Sequence, residues 1–161
     1  MKLCCKTLVC GLLSAVAICA APAQAAPAKS GAAAAQRAID AKFAELARRM
    51  ARGETGLRIV TALYWPDASA GVEGMPKPLV GLAELGGLMQ ASVPTGTGIV
   101  CKFTQSGKLV FSGNFASAFG TASCRKPGSD KPEISRSLHV WEKRGNQWKI
   151  VREQLALGAY D

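Results

Sequence analysis

Glu153 and Arg136 are the two residues best placed to act together on a small molecule. The last two strands, read at about 134–144 and 147–157, flank a Gly145-Asn146 turn. In a two-residue hairpin of that kind Leu138 faces Glu153, Val140 faces Val151 and Arg136 faces Leu155. Arg136 and Glu153 are then diagonal neighbours, and a carboxylate beside a guanidinium can orient a polar ligand or position a water for acid–base work. The same pair could simply tie two strands together. Asp67, directly after Pro66, is a third candidate, either as a catalytic carboxylate or as a brace for its turn. The alternate face of the hairpin carries His139 opposite Arg152 and Trp141 opposite Ile150.

His139 is the only histidine, and no CxxC spacing occurs. A zinc site therefore has no ligand set, and neither metal nor cofactor is expected. No phosphate-binding glycine loop or nucleophile triad is visible. Cys101 and Cys124 pose a separate question. With a hairpin tip at Ser106-Gly107, Cys101 faces Ser112 and Cys124 lies far along the same strand, on the order of 40 Å away. A disulfide needs Cα atoms within about 7 Å. That spacing argues for buried free thiols, or for an intermolecular link through Cys124, over an intramolecular bridge.

The elements that must hold these residues occupy only part of the 161-residue chain. Residues 1–25 read as a signal peptide: Lys2 and Lys6, a short apolar run, then Ala23-Gln24-Ala25 as a cleavage site. The run is shorter than the roughly 20 apolar residues that span a bilayer, so no stable membrane span is expected after cleavage. Export to the periplasm or beyond is the expectation, with no nucleic acid to bind. Cleavage removes four of the six cysteines and two of the 20 Lys+Arg, so the net charge falls from +9 to +7 (18 − 11). Residues 26–35 read as a flexible leader and 36–158 as one domain.

Within that domain Ile39, Phe43, Leu46 and Met50 make one stripe of a helix from Gln36 to Arg52. Thr55 caps a second helix from Gly56 to about Trp65, and Leu82, Leu85, Leu88 and Met89 mark a third, weakened by Gly86-Gly87. A short strand covers Asp67–Glu73. Beyond Gly96 the pattern has period two, with strands at about 97–105, 108–123, 134–144 and 147–157. Three helices followed by an antiparallel sheet define an α+β domain.

Three stretches carry a family resemblance: ALYWPDAS (62–69), GMPKPLVG (74–81) and VWEKRGNQWKIVREQ (140–154). Together they resemble the nuclear-transport-factor-2-like superfamily, in its polyketide-cyclase (SnoaL-like) and ketosteroid-isomerase-like group. The resemblance implies a cystatin-like cone, with three N-terminal helices packed on a curved antiparallel sheet around an apolar pocket. It implies that Arg136, Leu138, Val140, Val151, Glu153 and Leu155 face the pocket. Tyr64 and Trp65, ending the second helix, fall where the family places pocket-wall aromatics, with ordinary core packing as the alternative, and Phe111 and Phe115 share parity on the long strand as a core stripe or a ligand cradle. His139, Trp141, Ile150 and Arg152 fall on the outer face, where relatives pair, so a homodimer is implied. The isomerase branch uses a carboxylate base after its first strand and a protonated acid near the final hairpin. Here Glu73 is one residue out of register and Leu138 stands in the acid's place, so steroid isomerisation is not implied. The expected role is binding of a small, partly apolar molecule without identifiable catalysis. The alternatives are an isomerase, dehydratase or hydrolase using Glu153 and Arg136, and a dimerising interaction module.

Overall fold

The computed structural model describes residues 29–158. The signal-like segment and the first residues of the leader lie outside them. Helix α1 spans Lys29–Ala51 and starts well before the expected Gln36. Gly31 is followed by four alanines, which give up little entropy on entering a helix, and Ala35 is already buried. Ile39, Leu46 and Met50 continue its buried stripe.

Helix α2 (Gly56–Leu63) is capped by Thr55, whose hydroxyl accepts from the Arg58 N–H at 3.4 Å. It ends two residues before the expected Trp65, because Tyr64 already belongs to strand β1 (Tyr64–Val72). Pro66 sits inside β1, and the β1 register breaks between Tyr64 and Ser69, where a residue without an N–H is tolerated. Strand β2 (Leu79–Val80) leads into α3 (Gly81–Ser92). Gly86 lets α2 close onto α3, since a Cβ there would stand 3.2 Å from Leu57 Cα. A Cβ on Gly56 would lie 2.4 Å from the Gly86 carbonyl oxygen, so the two backbones nearly touch.

The remaining strands are β3 (Val100–Ser112), β4 (Phe115–Arg125), β5 (Glu133–Arg144) and β6 (Gln147–Leu157). They complete a six-stranded sheet in the order β2-β1-β6-β5-β4-β3. The sheet is mixed and not wholly antiparallel, because β6 lies parallel to β1. Its helix-facing side is covered by α1 on β3 and α3 on β1, which leaves a hollow between sheet and helices.

Two register details differ from the expected hairpins. The β3–β4 turn falls at Gly113-Asn114, with Ser112 opposite Phe115, while Gly107 (φ 82°) takes a left-handed conformation inside β3. The ladder shifts between Ser106 and Val110, as a bulge requires. Cys101 and Cys124 are thereby brought directly opposite one another and form a disulfide, with Cα atoms 4.1 Å apart. The long separation expected for them belonged to the wrong turn. In the β5–β6 hairpin the Gly145-Asn146 turn stands, and Trp141 faces Ile150. A bulge at Val151 then moves every later partner by one, so that Glu153 faces His139 and not Leu138.

Candidate functional site

That bulge decides which side chains share the hollow. On β5 the residues Ser137, His139 and Trp141 point inward and are buried. Leu138 and Val140, between them in the pleat, point outward. On β6 the bulge keeps Trp148 and Ile150 inward before it and Glu153 and Leu155 inward after it. His139 and Glu153 therefore meet inside a cavity of about 250 Å³.

The polar end of the cavity is a short chain of contacts. Tyr64, at the start of β1, donates its hydroxyl to Glu153 Oε2. Glu153 Oε1 lies 3.1 Å from His139 Nε2, with both side chains almost wholly buried. The Ser137 hydroxyl lies 2.9 Å from Nε2 and 3.5 Å from Nδ1. Phe43 of α1 sets its ring edge-on to the imidazole, with centroids 5.4 Å apart. Gly120 of β4 leaves room for the ring, since a Cβ there would stand 3.3 Å from His139 Cε1.

Electrostatics fix the proton inventory. Burial pushes the Glu153 carboxyl up, but the hydrogen bond and charge of His139, with the Tyr64 hydroxyl, outweigh it and hold the group below its ordinary 4.5. Burial first, and then the Glu153 charge, push the Tyr64 phenol well above its ordinary 10. At neutral pH the carboxylate is ionised and can only accept, so the hydrogen in the His139 contact sits on Nε2. Among the described residues, no group of three or more His, Cys, Asp and Glu side chains could hold a metal ion.

No family model matches the chain, and no curated protein matches it. Solved structures do. A nuclear-transport-factor-2-like protein of unknown function from Shewanella oneidensis superposes with a TM-score of 0.64 at 17% identity, covering 76% of this chain and 98% of that one. The fold is nuclear-transport-factor-2-like. A ketosteroid isomerase-like protein from Erwinia carotovora shares this fold at 18% identity and a TM-score of 0.59, covering 77% and 96% of the two chains. So does a type 2 hexachlorocyclohexane dehydrochlorinase, at 14% identity and a TM-score of 0.59, covering 80% and 88%.

Within this nuclear-transport-factor-2-like cone the expected site residues divide. Tyr64, Glu153 and Leu155 line the cavity. Arg136 pairs across to Ala156 and lies on the face opposite His139, so the expected Arg136–Glu153 couple does not form. Leu138 and Val140 share that outer face. Val151 is the bulge residue itself, buried but outside the cavity lining. Phe115 stands half-exposed on β4, and Phe111, on β3, packs near Trp148 at 6.1 Å. Trp65 also faces away: its indole N–H donates to the Glu142 carbonyl, and the Arg144 guanidinium lies 4.9 Å above its ring. Asp67 is a brace, held bidentate by Arg144 at 2.8 Å, and that hydrogen bond keeps its carboxyl below the usual range.

The expected outer-face set is corrected as well. His139, Trp141 and Ile150 are buried beneath the helices, and only Arg152 is exposed on the far side. His139, at the centre of this polar chain, is the residue that the resemblance put on the wrong face. Its signal was Trp141, two residues on, whose bulk fits the core better than an open sheet face.

Proposed function

We propose that the cavity binds a small, largely apolar molecule and that His139, held by Glu153, moves a proton at that molecule's polar end. The observation that carries this reading is the buried contact of His139 Nε2 with an ionised Glu153 at 3.1 Å. A carboxylate behind an imidazole fixes its orientation and stabilises the imidazolium that forms when the other nitrogen takes a proton. That nitrogen is Nδ1, which has the Ser137 hydroxyl at 3.5 Å, at the limit of a hydrogen bond. A proton leaves a carbon next to an electron-withdrawing group for Nδ1, and the imidazolium returns it to a neighbouring atom in an isomerisation. In an elimination the electron pair expels a leaving group instead. Two proteins that share the fold, a ketosteroid isomerase-like protein and a dehydrochlorinase, support a reading that begins with proton removal from carbon.

The test uses simple methyl ketones as carbon acids. Protein in D₂O is expected to speed deuterium entry at the α-carbons of 2-heptanone, followed by NMR, and His139→Asn is expected to abolish the acceleration. Equal exchange by both proteins would remove His139 from the reaction.

We place the protein outside the cytoplasm, as the signal-like N-terminus implies, and the Cys101–Cys124 disulfide supports an oxidising compartment. We also propose a homodimer through the outer sheet face. Phe115 and Val110 are exposed there at 50% and 68%, and Leu138 and Val140 lie between them and β6. Val140→Glu is expected to give a monomer in sedimentation, whereas a variant that stays dimeric would exclude this face.

A further inference from the structure

The hollow is long as well as apolar, and among the described residues its charged side chains sit at the two ends. The sheet registers divide its floor into rungs. His139 and Glu153 form the innermost rung, followed by Gly120, Ser137 and Leu155. Ala122, Ser135 and Leu157 make the third, and Cys124 with Glu133 the fourth. From His139 to Glu133 along β5 is six residues, about 20 Å at the usual strand rise. The opposite wall between these ends is supplied by Leu85, Leu88 and Met89 of α3.

At the open end Lys126 and Glu133 pair with each other at 2.7 Å. Ile134 and Leu157 line the same opening and are 38% and 74% exposed. Apolar side chains at the rim of an apolar channel extend its greasy surface to the solvent, where a ligand's tail can cover them.

We propose that the ligand is an elongated, mostly hydrocarbon molecule that enters with an uncharged hydroxyl or carbonyl end against His139 and leaves its tail between Ile134 and Leu157. The proposal rests on the reading that His139 faces the ligand. A carboxylate end is disfavoured, because it would meet the ionised Glu153 in a cavity with little water to screen the repulsion. An ammonium end is also disfavoured, because both Glu153 oxygens are already engaged, by Tyr64 and by His139. A neutral acceptor or hydroxyl needs neither concession.

The experiment is calorimetric titration of the full domain with 2-hexanone, 2-octanone and 2-decanone, and with decanoate at pH 7.5. Each added methylene is expected to tighten binding about three- to fourfold. Decanoate is expected to bind at least tenfold more weakly than 2-decanone. Leu155→Trp, which fills the second rung, is expected to lose 2-decanone while keeping the wild-type melting curve. Should that variant fail to fold, Leu157→Ser at the rim is expected to flatten the gain between 2-octanone and 2-decanone. Affinity independent of chain length, or decanoate binding as tightly as the ketone, would overturn the proposal. Deuterium exchange measured on the same ketones separates the two readings. Length-independent binding with exchange intact removes only the elongated ligand, and length-dependent binding without exchange removes only the proton transfer.

Discussion

Glu153→Gln is expected to lower ketone deuterium exchange by about 10²- to 10⁴-fold, the usual contribution of a positioned acid–base group, with the fold left standing. The amide is nearly the same shape as the carboxylate. Its oxygen can still accept from His139 Nε2, and its NH₂ can donate to the Tyr64 oxygen once that hydroxyl rotates. What disappears is the negative charge that makes the imidazolium favourable. Glu153→Ala is a different experiment, since it leaves a buried phenol and a buried imidazole without their partner, and it is expected to destabilise.

The two glutamate forms also differ in their response to pH. The folded carboxyl titrates below its ordinary 4.5, so the fold favours the ionised state. That stability is present above about pH 4.5 and is lost as pH falls through the lower folded-state value. Tyr64 has the opposite sign: its contribution is present below pH 10 and fades as pH rises towards the raised folded-state value. Glu153→Gln is expected to remove the carboxylate's share of the acid-side loss, read from urea unfolding at a series of pH values. An unchanged acid limb in the variant would mean that the fold does not lower the Glu153 pKa.

Opening the Cys101–Cys124 bridge is expected to cost about 3 kcal/mol, the entropy of the unfolded loop it closes across a sequence separation of 23. For a domain of this size that lowers Tm by about 10 °C. The loss should be local in its first expression. β3 is the edge of the sheet and is paired only to β4, so its amides should exchange earlier under reductant than those of β5 and β6. Melting curves with and without reductant, with alkylation to confirm two free thiols, make the comparison. Superimposable curves with both thiols free would show that the ladder alone holds the edge.

Helices and strands were legible where one periodicity dominated. The Ile39–Met50 stripe, the Thr55 cap and the Gly145-Asn146 turn all stand. What failed was parity. On β5 the alternating sets are Leu138 and Val140 against His139 and Trp141, and each is partly apolar, so hydrophobicity does not choose between them. A β-bulge adds one residue without a compositional mark, and at Val151 that residue reassigned the partner of Glu153. The cysteine pair failed for the same reason. Two Gly-containing steps, Ser106-Gly107 and Gly113-Asn114, compete as hairpin tips, and only the paired ladder shows that the first is a bulge. Tyr64 and Glu153 were found through the resemblance: Tyr64 as a wall residue, and Glu153 because the bulge turns the residues after Val151 to the inward face implied for them.

The parallel contact between β1 and β6 joins the first strand to the last, and it carries the Tyr64–Glu153 bond across 89 positions. β6 is inserted between β1 and β5, so until it docks the sheet is two separate pieces. Pairing of such distant segments is slow, because the loop entropy is lost before the contacts are gained. The nascent chain therefore holds no partial site. Tyr64, His139 and Glu153 come together in the same step that seals the sheet, and any truncation that removes β6 takes Glu153 away and leaves the sheet unclosed at once.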